Sequence, residues 1–214
     1  MGFWIREGKK LPDTLFSWDE LRGISRKGAL LAALKEKAAL YSPEDLEQML
    51  NRYSKKLENV PADYADALKH FARIQIVDGY HRMMTADLDG IHASIHISSS
   101  WVSFVDDAKS ATTKKTPGDR LRSLKYLIAA YTIYICNEPV HPVGMPFPGG
   151  FQVEQYDGVY YCPVRTVWND VDEAFCKFCP AVQSRDVDLD LSKDERDLMT
   201  KKEKLTNYFY NFKG

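Results

Sequence analysis

The sequence predicts a mainly α-helical protein that carries a small β-hairpin and a cysteine-rich metal-binding subdomain near its C-terminus. Apolar residues recur at helical spacing through most of the first half of the chain. An Asp157-Gly158 pair separates two short β-like runs, and three of the four cysteines lie between residues 162 and 179. We therefore expect a helical domain over residues 1–136, a Pro/Gly loop, hairpin and cysteine knuckle over 137–185, and a C-terminal helix over 186–214 that packs back on the helical domain.

Three helices are expected in the first part of the chain. The first has Ser17 as its N-cap and Glu20 three residues later, and its apolar stripe continues to Tyr41. The second begins at Pro43, because the first turn of a helix tolerates a residue without an N–H group. Pro61 begins the third helix, whose apolar period continues to residues 77–80.

The middle of the chain, residues 88–116, allows two interpretations. Apolar and polar residues alternate from Ile91 to Ile97, which favours a short strand, whereas Trp101 to Val105 also suit a helix that ends near Ala108. A polar, threonine-rich loop follows, and the most apolar helix of the chain is then expected from about Arg120 to Cys136.

The last third of the chain contains the predicted hairpin. Residues 138–150 hold four prolines and three glycines, which predicts a long irregular loop. Residues 151–156 and 159–164 then form the two strands around Asp157-Gly158. A final helix is expected from Ser192 to about Tyr210, anchored by its aromatic residues Tyr208, Phe209, Tyr210 and Phe212.

Composition narrows the classes of protein that this chain can belong to. It is 44% hydrophobic and 28% charged, which is typical of a folded protein and not of a disordered one. The 29 basic and 30 acidic residues give a net charge of −1, so no global field attracts nucleic acid or an acidic membrane surface. The N-terminus has no secretory signal pattern and the longest apolar run, residues 126–136, is too short to span a membrane. We expect a cytoplasmic protein with no membrane or nucleic-acid partner.

The crowded cysteines are the main candidate site. Cys162, Cys176 and Cys179 form a one-plus-two arrangement in which the C-x-x-C pair directs two thiols at one point and the hairpin end supplies a third. In a cytoplasm that keeps thiols reduced, this pattern favours metal binding. Cys136 and His141 are the candidates for a fourth ligand. The hairpin is expected to depend on the metal, since a two-stranded unit is marginal alone.

Two alternatives to a metal site would also account for these cysteines. They can be separate buried residues that act as small hydrophobes beside Phe175, Phe178, Tyr160 and Tyr161. They can also form a redox pair, although a thioredoxin-like C-x-x-C motif belongs to a βαβ unit that this chain lacks. For a metal site, a hairpin that leads into a knuckle favours a zinc ion, whereas cysteine followed by proline, at residues 162–163 and 179–180, is also typical of 4Fe–4S cluster ligands.

The histidines and the loops offer weaker candidates. His92 and His96 would share a helix face, but no glutamate follows His92 as in a metalloprotease helix, so two solvent-facing histidines are expected. His70 and His81 also share a face of the third helix, where a hydrogen-bonded imidazole is more usual than a catalytic base. No phosphate-binding loop, nucleophile elbow or kinase motif occurs in the sequence.

One segment resembles a known family. The stretch HPVGMPFPGGFQVEQYDGVYYCPVRTVWNDVDEAFCKFCPAVQ, residues 141–183, resembles the signature of an uncharacterised archaeal protein family found mainly in methanogens. The resemblance implies an anaerobic archaeal cytoplasm, which is compatible with zinc and with an iron–sulfur cluster, and it implies no activity. Cys136 lies outside this segment. The resemblance rests on His141, Pro142, Phe147, Pro148, Gly149, Gly150, Tyr161, Cys162, Pro163, Cys176 and Cys179.

Two functions follow from these observations. The first is an accessory, binding or assembly protein whose structural metal site ties the Pro/Gly loop and hairpin to the helices and presents a surface to a protein partner. The second is an enzyme or redox protein in which an open metal or cluster position lies beside His141 and the Phe147–Gly150 loop. The sequence does not define a small-molecule substrate.

Overall fold

Helices make up most of the described chain, as the apolar periodicity predicts. The computed structural model describes residues 15–113, 116, 118–148, 150–166 and 175–184. The predicted C-terminal helix and its aromatic anchors lie outside the described residues. The helices are α1 (Asp19–Arg22), α2 (Lys27–Ala38), α3 (Pro43–Lys56), α4 (Ala62–Arg73), α5 (Gly79–Thr85), α6 (Gly90–Ala93), α7 (Trp101–Thr112) and α8 (Asp119–Ala130).

A small three-stranded sheet follows the helices near the C-terminal end of the described chain. Its strands are β1 (Glu154–Tyr156), β2 (Val159–Cys162) and β3 (Val182–Gln183), in the order β1-β2-β3. The first two form the predicted antiparallel hairpin, and β3 pairs with β2 in parallel. The third strand was not predicted, because two residues are too few for a periodic pattern.

The chain divides into two compact units. The first contains the residues up to Met49 together with Ile76–Asn137, and the second contains Leu50–Gln75 together with the residues from Glu138 onward. The second unit therefore combines the end of α3 and all of α4 with the irregular loop and the sheet. The domain limits expected from the sequence stay a prediction.

The first unit is built around an aromatic core. The rings of Trp101 and Phe104 stack at a centroid distance of 5.6 Å, and Trp18, Tyr126 and Tyr134 contact this pair. The Trp101 indole N–H donates to the Leu21 carbonyl at 3.0 Å, so its polar atom is satisfied inside the core. Leucines from α2 and α8 complete the core, namely Leu30, Leu34, Leu124 and Leu127.

A buried ion pair joins α3 to α8 within the first unit. Arg120 donates from Nε to Asp45 Oδ1 at 2.7 Å and from Nη2 to Asp45 Oδ2 at 2.6 Å. Only 13% of the Arg120 side chain and 7% of the Asp45 side chain are exposed. The guanidinium also lies over the Tyr41 ring, 5.0 Å from its centroid. This bidentate geometry is the strongest form of ion pair between these residue types.

The first predicted helix is interrupted. Glu20 does reach back to accept from the Ser17 N–H at 3.1 Å, as the capping pattern predicts. The helix then ends at Gly23, and residues 24–26 run extended into α2. The Lys27 N–H donates to the Ile95 carbonyl and the Ile97 N–H to the Ser25 carbonyl, so a partner some 70 residues away accounts for the break.

The strand predicted for residues 91–97 is wrong. The Asp89 side chain accepts from the His92 N–H at 2.8 Å and caps the short helix α6, so a local side-chain bond overrides the alternating pattern. The only strand-like pairing within residues 91–97 is an isolated bridge between Arg26 and His96. The helix expected as the alternative for Trp101 to Val105 is confirmed, but α7 continues to Thr112 and does not end near Ala108.

Two long helices end in π-helical turns. Ile74–Asp78 follows α4, and Tyr131–Ile135 follows α8. The apolar run to Cys136 is therefore helical as predicted, but its last turn is wider, with the Cys136 N–H donating to the Tyr131 carbonyl at 3.1 Å. A π turn rotates the residues beyond it around the helix axis. Residues on opposite sides of the turn therefore do not share a helix face, even where a spacing of 3.6 residues per turn predicts that they do.

Candidate functional site

The hairpin places Cys162 at the buried end of strand β2. Asp157 and Gly158 have φ values of 49° and 77°, which are the two left-handed conformations that a tight two-residue hairpin turn requires. The pairing sets Glu154 opposite Tyr161 and Tyr156 opposite Val159. Side chains alternate along β2, and its burial pattern ends with Cys162 inside.

The inner face of this sheet packs on helices of the same unit. Cys162 is 4% exposed and lies in an apolar cluster that also contains Val153 and Ala181. The cluster also contains Leu57, which directly follows α3, and Leu68 of α4. The hairpin thus has a hydrophobic core shared with helices, which the sequence alone did not predict.

The C-x-x-C pair lies on a short 3₁₀ turn that leads into β3. The turn spans Cys176–Phe178, and the Cys179 N–H donates to the Cys176 carbonyl at 3.1 Å. Phe175, 7% exposed, precedes the turn and is buried. Cys179 packs against the apolar cluster that holds Cys162. The parallel pairing of β2 with β3, in which Cys162 lies opposite Gln183, therefore returns this segment to the end of the hairpin.

Burial and neighbouring groups raise the pKa of two of the three thiols, Cys162 and Cys176. Burial raises the pKa of Cys162 to about 11, a backbone hydrogen bond from Val164 opposes this, and the neighbouring Cys179 and Cys176 raise that pKa further. Burial also raises the pKa of Cys176, again with a contribution from Cys179. The Arg165 guanidinium acts in the opposite direction on both thiols. No disulfide links any of the four cysteines, all of which are in the described part of the chain.

The donor set suits a thiophilic metal, but the side chains are not gathered around one point. Three thiols, one at the end of β2 and two on the 3₁₀ turn, are the kind of ligand that zinc and iron–sulfur clusters favour. Across the described residues, no group of three or more His, Cys, Asp or Glu side chains is placed so that it could hold a metal ion. Binding of one ion by all three cysteines would therefore require their side chains to move closer together.

The two candidates for a fourth ligand lie in different units. Cys136 belongs to the first unit, where it follows the π turn of α8 and accepts a hydrogen bond from Arg82 Nη2 at 3.8 Å. His141 belongs to the second unit, which also contains the three thiols. Its ring meets the Phe147 ring edge-on at a centroid distance of 5.5 Å, and Phe147 packs against the cluster that contains Cys162.

The remaining histidines have local contacts. His92 is exposed and its Nδ1 lies 2.7 Å from Asp89 Oδ2, within the cap of α6. His70 and His81 contact their neighbours Phe71 and Tyr80 edge-on. The π turn Ile74–Asp78 separates these two histidines, so the helical spacing that placed them on one face does not hold.

Sequence reasoning missed the polar residues that fasten the cysteine segments together. Gln183 accepts from the N–H and the hydroxyl of Thr166, at 2.9 Å each, and donates from Nε2 to the Pro163 carbonyl at 2.8 Å. Arg165 Nε donates to the Ala181 carbonyl at 2.9 Å. A glutamine in a two-residue strand carries no sequence signal for such a role.

A separate groove lies along the α3–α4 helix pair. It has a volume of about 590 Å³, with Leu57, Val60 and Ala65 among its apolar lining residues and Lys55, Glu58, Asp66 and Lys69 among its charged ones. Its lining contains no histidine or cysteine. Among all the described helices, none is both long enough and apolar enough to cross a membrane.

Comparison with known proteins gives this chain relatives in methanogens. It is 33% identical over 159 residues to a UPF0305 protein of Methanothermobacter thermautotrophicus, which covers 73% of this chain and 95% of that protein. A UPF0305 protein of Methanopyrus kandleri is 46% identical over 61 residues, covering 28% of this chain and 43% of that protein. A UPF0305 protein of Methanocaldococcus jannaschii is 20% identical over 152 residues, which covers 70% of this chain and 92% of that protein. No solved structure matches.

The profile of one protein family matches most of the chain. The matched residues, 26–184, begin just before α2 and end just after β3, so they include helices α2–α8 and the three-stranded sheet. The family is described as an uncharacterized protein conserved in archaea (DUF2115). The resemblance seen in residues 141–183 is thereby confirmed at the level of the family, and the chain belongs to this archaeal family.

Proposed function

We propose that this chain is a metal-binding accessory or assembly protein of the archaeal cytoplasm, in which Cys162, Cys176 and Cys179 hold a zinc ion or, alternatively, a 4Fe–4S cluster. The observation that carries the proposal is the parallel pairing of β2 with β3, which returns the C-x-x-C segment to the end of the strand that carries Cys162 and lets Cys179 pack against the cluster that contains Cys162.

Burial of the thiols favours a structural role for the metal. Cys162 and Cys176 are only 4% and 9% exposed, which leaves little access for a water or substrate ligand, and structural metal sites have all their coordination positions filled by protein ligands. A metal held there would cross-link the hairpin end, the 3₁₀ turn and β3, in addition to the apolar packing that these segments share with the helices. The rigid sheet would then present a fixed surface to a protein partner. Membrane and nucleic-acid partners form no part of this proposal.

A second candidate function keeps an open metal position. The ring of His141 contacts Phe147, and Phe147 in turn packs on the thiol-bearing cluster, so the Pro/Gly loop borders the core that holds Cys162. Three cysteines and an unfilled fourth position beside this loop would suit an enzyme or a redox protein. His141 would then bind substrate or complete the site.

Anaerobic purification followed by metal analysis and a visible spectrum tests the proposal. Zinc near one equivalent supports the zinc site, and broad visible absorption from iron–sulfur charge transfer supports the cluster. Cys162→Ser, Cys176→Ser and Cys179→Ser should each lower the metal content. His141→Ala and Cys136→Ser identify the fourth ligand, since only loss of a true ligand weakens binding. Protein that takes up neither zinc nor a reconstituted cluster would refute the proposal.

A further inference from the structure

The side chain of Gln183 joins the two chain segments that follow the thiols. The first segment is the turn that follows Cys162, residues 163–166, and the second is the strand that follows Cys179. Gln183 bonds to both ends of the turn, donating to the Pro163 carbonyl at 2.8 Å and accepting from the Thr166 N–H at 2.9 Å. The Thr166 hydroxyl also donates to the same Gln183 oxygen at 2.9 Å.

These bonds use most of what a glutamine side chain offers. A primary amide has two donors and two acceptor lone pairs, and here both lone pairs and one donor are engaged. Two further bonds hold the same segments together. Arg165 Nε donates to the Ala181 carbonyl at 2.9 Å, and the Ser184 N–H donates to the Cys162 carbonyl at 3.1 Å. The turn and the strand are thus held in register by contacts that require no metal.

We propose that Gln183 is the positioning residue of the thiol site. It fixes the turn after Cys162 against the strand after Cys179, so that metal binding has to rearrange thiol side chains and the 3₁₀ turn but not the β2–β3 pairing. This inference rests on the proposed metal-binding function. Residues that hold the ligands of a metal site, without touching the metal, typically change its affinity about 10- to 100-fold when they are lost.

Three variants of the full chain test whether Gln183 positions the thiols or only stabilises the fold. Gln183→Met keeps the length of the side chain and removes all three hydrogen bonds. Thr166→Val removes only the hydroxyl bond and leaves the Thr166 N–H in place. Gln155→Leu is the matched control, because Gln155 is an exposed glutamine in β1 of the same sheet.

The experiment is a titration of the metal-free, reduced protein with Cd²⁺, followed by ultraviolet thiolate-to-metal absorption, together with the visible spectrum of the Co²⁺ form. We expect Gln183→Met to weaken Cd²⁺ binding about 10- to 100-fold and to change the Co²⁺ spectrum, which reports ligand geometry. Thr166→Val should weaken binding less, and Gln155→Leu should match the wild type. A residue that only stabilises the fold would lower the melting temperature of the metal-free protein and leave the Co²⁺ spectrum unchanged.

The outcomes distinguish this inference from the function on which it rests. If the wild type binds neither ion, the proposed metal site is wrong and this inference falls with it. If the wild type binds and Gln183→Met binds equally well with the same Co²⁺ spectrum, only the role of Gln183 is refuted. If Gln183→Met does not fold, the comparison of Thr166→Val with Gln155→Leu decides, and equal Cd²⁺ affinity in those two variants overturns the inference.

Discussion

Replacing Arg120 by methionine should strongly destabilise the first unit. The substitution removes both bonds to Asp45, at 2.7 and 2.6 Å, and leaves a carboxylate whose side chain is only 7% exposed. Breaking a buried ion pair by removing one partner costs about 3–5 kcal/mol, because the remaining charge is neither hydrated nor neutralised. For a chain of this length, each kcal/mol lowers the melting temperature by about 2–4 °C, so a loss of about 6–20 °C is expected.

Two controls identify the cause of that loss in thermal unfolding followed by circular dichroism. Lys109→Met removes a solvent-exposed ion pair with Asp19 and should leave the melting temperature unchanged. The double variant Asp45→Leu/Arg120→Met replaces both charges by apolar groups and should recover much of the stability. A loss in Arg120→Met no larger than in Lys109→Met would refute the reasoning.

The same ion pair has a predictable dependence on pH. Burial alone would raise the pKa of Asp45, but hydrogen bonds from Arg120 and from the Ser42 backbone outweigh it and the pKa is lowered. A lowered carboxyl pKa contributes stability that is complete above the unfolded value, about 3.9, and is lost as the pH falls through the folded value. The difference between wild type and Arg120→Met should therefore shrink as the pH falls below about 4.

Three further predictions concern the core, the hairpin and the thiols. Leu124→Ala, at a fully buried position, should cost about 2–5 kcal/mol in chemical denaturation, and a loss below about 1 kcal/mol would contradict its placement in the core. Gly158→Val should cost about 1–2 kcal/mol because φ is +77° there, and unchanged stability would contradict the predicted turn. Cys176→Ser should lower metal content and speed proteolysis within residues 150–184, whereas full metal retention would exclude Cys176 as a ligand.

Local patterns predicted the elements whose partners are near in sequence. Helix α3 begins at Pro43 and the hairpin turns at Asp157-Gly158, as expected, because each depends on residues within a few positions. The capping glutamate Glu20 forms its bond to Ser17 for the same reason. Periodicity and turn chemistry therefore account for the helical class and for the hairpin.

Features with distant partners were not predictable in this way. The break after α1 depends on the pairing of residues 25–27 with residues 95–97, and β3 exists only because β2 lies beside it. The π turns after α4 and α8 widen helices whose apolar period looks regular. Asp89 shows the opposite effect, since a local cap replaced a strand that the alternation favoured.

The candidate site divides along the same line. Spacing grouped Cys162, Cys176 and Cys179, and the β2–β3 pairing returns the C-x-x-C segment to the end of β2, but the shared metal site stays a prediction. Spacing could not assign the fourth ligand, because Cys136 and His141 depend on how distant segments fold. It also could not find Gln183, whose bonds reach back 17 and 20 residues along the chain.

The three cysteines do not carry equal weight as evidence for a metal. Cys162 lies in an apolar cluster with Val153 and Ala181, where a cysteine is adequately explained as a small hydrophobe. Cys179 is only partly buried, and Cys176 lies on the 3₁₀ turn and is not a member of that cluster. Packing accounts most fully for Cys162, since Cys179 only packs against that cluster from outside and Cys176 is buried elsewhere, so the metal hypothesis depends chiefly on the C-x-x-C pair. Substitutions at Cys176 and Cys179 are the informative ones, because a serine at Cys162 would disturb the core even in a protein that binds no metal.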